Sequence, residues 1–113
     1  MGMILKEYDG KVEKCWYDST NVIYSECLDN KDALKDVKVV FKDGRTYMYQ
    51  GVPVNNYLMF RSDISQGKSL YKYIAYKVKG VDKHVTLRIE NTDLTQLEKQ
   101  KQLLIEKTNK NEQ

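Results

Sequence analysis

Few side chains in this sequence have the chemistry that catalysis needs. The chain contains one histidine, His84, and two cysteines, Cys15 and Cys27. The cysteines lack Cys-x-x-Cys spacing, and a zinc site needs about four nitrogen or sulfur ligands. Two cysteines in a chain without a secretion signal are typical of buried thiols. We therefore predict an exposed histidine, buried thiols, no bound metal or cofactor, and no enzymatic activity.

The segment Ser65–Lys68 contains residue types that bind phosphate. Gly67-Lys68-Ser69 resembles the end of a nucleotide-binding loop, but Ser62 stands where that motif needs another glycine. Even without the complete motif, the segment could bind an anion at the start of a short helix. Backbone N–H groups are free there, and Gly67 lets the anion approach the backbone closely. Arg61 and Lys72, one turn to either side, would add positive charge. The alternative is that the serine caps the helix and the glycine makes the turn.

The orientation of Tyr47 and Tyr49 depends on the turn at Asp43-Gly44. A two-residue turn places both tyrosines on one face with the cations Lys38, Lys42 and Arg45, as a platform on which bases can stack. A bulge at Gly44 slips the pairing by one residue and turns both tyrosines to the core face, with Val37, Val39 and Phe41. Both turns are common. We favour the bulged arrangement.

Positive charge is concentrated between Ser65 and His84. The whole chain has a net charge of only +3, but this segment carries five lysines against one acid, Asp82. The lysines are Lys68, Lys72, Lys77, Lys79 and Lys83. Tyrosines interleave with them, and a tyrosine ring can either pack or stack on a nucleotide. The candidate ligand residues are Arg45, Tyr47, Tyr49, Tyr57, Arg61, Ser65, Gly67, Lys68, Tyr71 and Lys72.

The pattern of turns and apolar residues predicts a single α+β domain over residues 1–108, followed by a polar tail over 109–113. Asp9-Gly10 and Asp43-Gly44 are hairpin signals. Strand-like runs lie at 3–8, 11–17, 21–28, 37–42 and 45–50. Pro53 opens a helix that ends at Ser65-Gln66-Gly67, a second helix spans about 68–76, and Lys79-Gly80 ends it. The expected fold is a small antiparallel sheet of hairpins followed by two short helices, an edge strand and a C-terminal helix.

The last helix carries a thin apolar stripe of Leu94, Leu97, Leu104 and Ile105, and Thr92 is its predicted cap. The stripe packs either on its own domain or against a second copy in a homodimer. No apolar run approaches the roughly 18 residues of a membrane span, and the start of the chain has no signal-peptide pattern. We therefore predict a cytoplasmic protein with no membrane partner.

The order of motifs from Asn21 to Lys77 resembles the KTSC domain, named for the C-terminal segment of some lysyl-tRNA synthetases. The motifs are Val37-Lys38-Val39-Val40-Phe41, Gly44-Arg45-Thr46-Tyr47-Met48-Tyr49, Val52-Pro53, Tyr57, Phe60, Ser65-Gln66-Gly67-Lys68, Tyr71 and Ile74. Members often have an aromatic residue and an asparagine after that glycine, where this chain has Leu70 and Lys72. The family also occurs alone in small bacterial and phage proteins. Its association with a synthetase implies RNA binding, by analogy.

These observations predict a small non-enzymatic binding module. The first hypothesis is binding of nucleic acid, RNA in particular, or of a nucleotide-like phosphate ligand. The alternative is a phage-encoded inhibitor that acts on a host defence protein in the host cytoplasm, or that sequesters a nucleotide immune signal.

Overall fold

Short turns and alternating apolar residues fold the first half of the chain into consecutive antiparallel strands. The computed structural model describes residues 2–28, 31–89 and 91–111. The strands are β1 (Gly2–Asp9), β2 (Val12–Asp18), β3 (Val22–Leu28), β4 (Leu34–Phe41), β5 (Thr46–Pro53), β6 (Lys77–Val78), β7 (Val81–Asp82) and β8 (Val85–Arg88). Six of them form one antiparallel sheet in the order β1-β2-β3-β4-β5-β8. The predicted α+β class is confirmed, and β8 is an edge strand as expected.

The first hairpin turns one residue later than its sequence signal indicates. Asp9 pairs with Val12, so Gly10 and Lys11 form the turn and Asp9 still belongs to β1. Gly10 has φ +63°, a conformation that glycine adopts without steric cost.

The turn between β4 and β5 contains the predicted bulge. Phe41 N–H donates to the Arg45 carbonyl and Gly44 N–H to the Phe41 carbonyl, both at 2.9 Å. Gly44 has φ +93°. In the ladder beyond it Val39 pairs with Tyr47 and Val37 with Tyr49. The bulged register is therefore confirmed, and both tyrosines lie on the core face.

Helix α1 (Val54–Ser62) follows Pro53 as predicted, but the second helix differs from its prediction. It consists of α2 (Gln66–Ser69) and a π-helical turn (Leu70–Ile74). The buried amide of Gln66 donates to carbonyls at the end of α1, at 2.7 Å for the Asp63 carbonyl, and so fixes the break between the helices. Gly67 lies inside α2, and Lys79-Gly80 form the turn of the small β6–β7 hairpin.

Each face of the sheet has its own apolar core. The first face, with Cys15, Tyr17, Val37, Val39 and Tyr49, packs against α1 and the π-helical turn. There Phe60 of α1 meets Tyr17 edge-on at 5.6 Å between ring centroids. The second face, with Trp16, Tyr24 and Val40, packs against α3 (Leu94–Asn111) through Leu97.

Asp93, not Thr92, caps helix α3. The Asp93 carboxylate accepts the Thr95 N–H at 2.9 Å. The Thr92 hydroxyl lies 2.6 Å from the Thr46 hydroxyl, and the Thr92 N–H donates to the Gly44 carbonyl at 2.9 Å. Thr92 therefore ties the start of α3 to the β4–β5 turn.

The predicted stripe of α3 lies mostly against the chain's own sheet. Leu97 is buried, and Leu94 and Leu104 pack partly buried beside it. Ile105, the fourth member of the stripe, is exposed. Among the described residues, no helix is both long and apolar enough to span a membrane.

Candidate functional site

Two predicted ligand residues, Tyr57 and Arg61, belong to a buried network around Glu13. The Glu13 carboxylate accepts the Tyr57 hydroxyl at 2.6 Å and the Tyr8 hydroxyl at 2.9 Å. Arg61 Nη1 donates to both of its oxygens, at 2.7 and 2.8 Å. The Arg61 guanidinium is thus neutralised inside the protein, and the Tyr57 ring is buried. Glu13 was not among the predicted site residues, although alternation along β2 puts it on the same face as Cys15.

The network sets the protonation states of its members. Burial raises the pKa of Glu13, but hydrogen bonds from Tyr57, Arg61 and Tyr8, with the charge of Arg61, outweigh burial and hold the pKa below its ordinary value. Burial and the neighbouring Glu13 carboxylate raise the pKa of the Tyr57 hydroxyl. The Glu13 carboxylate therefore stays ionised, and both of its oxygens accept hydrogen bonds from side chains of β1 and α1.

The cavity beside this network is small. Its volume is about 150 Å³, and Lys35 and Cys27 are among the residues that line it. Pockets for small-molecule ligands usually measure about 300–1,000 Å³. We therefore interpret the network as a structural contact that joins α1 to the sheet. The cavity beside it is too small to be the ligand site.

The thiols of the protein are expected to be unreactive in the folded state. Cys15 and Cys27 are both buried and unbridged, as predicted. Burial and the charge of Glu13 raise the pKa of Cys15 to about 12. A thiol-reactive chromophore at about pH 8 should label neither cysteine in native protein and both after unfolding. Rapid labelling of native protein would contradict this burial.

The Ser65–Lys68 segment does not form the open helix start that its sequence predicts. Ser65 N–H donates to the Asp63 carboxylate at 3.2 Å, and Gln66 is buried. A Cβ atom placed on Gly67 would lie 3.5 Å from the Cβ of Asn21, so the Asn21 side chain lies against this glycine. Only Lys68 of this segment is fully exposed.

The structure does bring together Tyr47, Tyr49 and Tyr71. The ring centroids of Tyr47 and Tyr49 are 6.3 Å apart. Burial raises the pKa of Tyr49, and so do the nearby hydroxyls of Tyr71 and Tyr47 and the carboxylate of Asp82. Tyr49 forms the buried floor of this group, Tyr47 is half-buried, and Tyr71 is 57% exposed. Two of the three rings can therefore meet a ligand.

Cationic side chains surround these rings. Arg88 pairs directly with Tyr47 across β5 and β8, and residues opposed in this way share a face of the sheet. The Arg45 guanidinium lies 5.6 Å from the centroid of Phe41 and pairs with Asp43 at 2.7 Å. Lys72 lies 5.2 Å from the centroid of Tyr73, next to Tyr71 in the chain. We call this surface the aromatic–basic face, consisting of Arg45, Tyr47, Tyr71, Lys72 and Arg88.

The lysine-rich segment continues this surface. Lys68, Lys72, Lys77, Lys79 and Lys83 are all exposed, and none makes a salt bridge to another described residue. The last three belong to the β6–β7 hairpin and its flank. Their charges are therefore available to an anionic partner.

His84 holds the base of this hairpin in place and is buried, contrary to the prediction that it is exposed. Its ring meets Tyr76 edge-on at 5.4 Å between centroids, and Lys83 N–H donates to the Tyr76 carbonyl at 2.9 Å. Burial and the charge of Lys83 lower the pKa of His84. This burial was not predictable from the residues next to His84, because the ring that covers it belongs to Tyr76, eight residues earlier.

Comparisons with known proteins give no relative from which a function could be transferred. No family model matches the chain, and neither a curated protein nor a solved structure matches it. The resemblance to the KTSC domain stays a prediction. Among the described residues, no group of three or more histidine, cysteine, aspartate or glutamate side chains could hold a metal ion.

Proposed function

We propose that this protein binds single-stranded RNA, without catalysis, through the aromatic–basic face. The observation that carries the proposal is that Tyr47 pairs with Arg88 and the exposed Tyr71 ring lies near Tyr49, while Lys72 and the lysines of the adjoining hairpin are exposed and make no salt bridge to a described residue. Stacking on an aromatic ring contributes roughly 1–3 kcal/mol per base, and nearby cations hold the phosphates. The face combines both kinds of contact.

The spread of the cations favours a polymer over a single nucleotide. They come from the β4–β5 turn, the π-helical turn, the β6–β7 hairpin and β8. A single nucleotide is too short to contact the cations of all four elements. A single strand of RNA carries a phosphate at every nucleotide and can contact each of them.

Binding should depend steeply on salt and on the lysines of this surface. Each phosphate contact to a single strand adds about −0.7 to the slope of log affinity against log salt, so three to four contacts predict a slope of about −2 to −3. Fluorescence anisotropy of a labelled single-stranded RNA between about 50 and 200 mM salt measures it. Lys72→Glu with Lys77→Glu should lower the affinity by roughly tenfold or more.

The matched control is Lys99→Glu with Lys107→Glu, the same change in charge on α3, which packs on the second face of the sheet. We expect a much smaller loss for this pair, from net charge alone. Equal losses for both pairs would place the binding surface elsewhere. No binding even at the lowest salt would reject the proposed function and favour the protein-interaction class.

Tyr71 tests the stacking part of the proposal separately. Tyr71→Ala should lower the affinity by roughly 5- to 150-fold, which corresponds to the loss of one stacked base, and leave the salt slope unchanged. Tyr71→Phe keeps the ring and should bind as the parent does. If Tyr71→Ala instead changed the slope of log affinity against log salt and kept the affinity at low salt, stacking of a base on Tyr71 would be contradicted.

A further inference from the structure

The β6–β7 hairpin presents two apolar side chains among its lysines. Val78 is 49% exposed and Val81 is 69% exposed. The two valines pair directly in the ladder, so they lie together on one face of the hairpin. Lys79 and Gly80, with φ +54° and +80°, form the tight two-residue turn beyond them. The chain therefore displays an apolar pair at the end of a positively charged ribbon.

This ribbon is fixed next to the aromatic–basic face. The contact between Tyr76 and His84 closes its base against the domain. Asp82, at the end of β7, is close enough to Tyr49 to raise the pKa of that hydroxyl, as Tyr71 does. Val78 and Val81 lie on the opposite side of the hairpin from Asp82, where both are exposed.

We infer that the hairpin inserts its valine pair between neighbouring bases of the bound strand. This inference rests on the proposed function. Apolar side chains that enter a base step unstack it, and proteins use them as wedges where cations hold the flanking phosphates. Lys79, in the turn between the two valines, and Lys83, two residues after Val81, supply those cations. Charge complementarity makes nucleic acid the occupant that this apolar pair fits, because Lys79 and Lys83 lie beside it in the chain and neither makes a salt bridge to another described residue.

The fluorescence of 2-aminopurine in the RNA tests the insertion, because stacking quenches this base and unstacking restores its emission. Parent protein should raise the emission of a single-stranded RNA with 2-aminopurine at one position of a short purine run. Val78→Thr with Val81→Thr keeps the shape and β-branching of both side chains but adds hydroxyls. We expect this variant to lose the rise in emission while anisotropy still reports binding.

The control is Ile64→Thr, a similar change at an exposed apolar residue outside the hairpin, which should leave the rise intact. Binding by anisotropy without any rise in emission would overturn the insertion and leave the proposed function standing. The same rise with the threonine variant as with the parent would also overturn it. Absence of binding by the parent protein would reject the proposed function and this inference together.

Discussion

Replacing Arg61 by methionine is expected to lower the free energy of unfolding by about 3–5 kcal/mol, because it leaves a buried carboxylate without its counter-charge. The Glu13 side chain is only 6% exposed, and Arg61 makes two of its hydrogen bonds, at 2.7 and 2.8 Å. Methionine retains most of the apolar stem of arginine, so packing on Tyr57 changes little. Urea denaturation near neutral pH measures the difference.

A second change should restore part of this loss. Adding Glu13→Gln to the Arg61→Met variant removes the uncompensated charge, so the double variant should be more stable than Arg61→Met alone. The control for Arg61 is Arg45→Met, at an exposed arginine whose ion pair with Asp43 lies in water. We expect little change there. Equal destabilisation by the two arginine variants would contradict the role given to the Glu13 network.

The effect of Arg61→Met should also depend on pH. The folded pKa of Glu13 lies below the ordinary value of 4.5. The network therefore contributes its full stability above about pH 4.5 and loses it as the pH falls through the folded pKa. Without Arg61, burial should raise the pKa of Glu13 and keep its carboxyl neutral in acid. The difference in stability between parent and variant should accordingly shrink as the pH falls toward about 3.

The structural role of Arg61 makes it a poor residue for testing RNA binding by substitution. Arg61 was predicted to be a ligand residue, and the loss of RNA binding in an Arg61 variant would have supported that prediction. In the structure Arg61 stabilises the fold, so weaker binding by such a variant could simply reflect unfolded protein. Lys72 and Tyr71 are better probes, because both are exposed and neither supports the core.

Local signals in the sequence predicted most of the fold. The strands and the bulge at Gly44 follow from alternation and turn chemistry within a few residues, and α1 begins at Val54, one residue after the proline that was predicted to open it. The second helix was misplaced because its start is set by a tertiary contact: buried Gln66 binds the carbonyls that end α1. A glycine in a short helix, packed on Asn21, looks the same in sequence as a glycine in a turn.

The candidate site was harder to predict for a related reason. Residue type alone does not distinguish an arginine that binds phosphate from one that neutralises a buried acid 48 residues away. Tyr71 and Lys72, which the lysine- and tyrosine-rich stretch indicated as ligand residues, are both exposed in the structure. Arg88 was overlooked, because its place beside Tyr47 depends on the pairing of β8 with β5.

Replacing Leu97 by glutamate is expected to detach helix α3 from the sheet while the rest of the domain stays folded. Leu97 is the buried residue of α3 in the second core, where it packs with Trp16, Tyr24 and Val40. Loss of a buried leucine costs about 2–5 kcal/mol, and a carboxylate at that position adds a desolvation cost. A groove of about 460 Å³ lies between α3 and Trp16, and Leu97 is the residue of α3 that is buried in the second core.

Trp16 reports this change directly, because it is the only tryptophan in the chain and α3 covers it. Its emission should shift to longer wavelength in Leu97→Glu, with the strand signal in circular dichroism retained. Leu103→Glu, at a residue of the same helix that is 66% exposed, should leave the emission unchanged. If the stripe instead formed a homodimer contact, Leu97→Glu would give a folded monomer in light scattering without a shift. That result would overturn the packing of α3 on its own sheet.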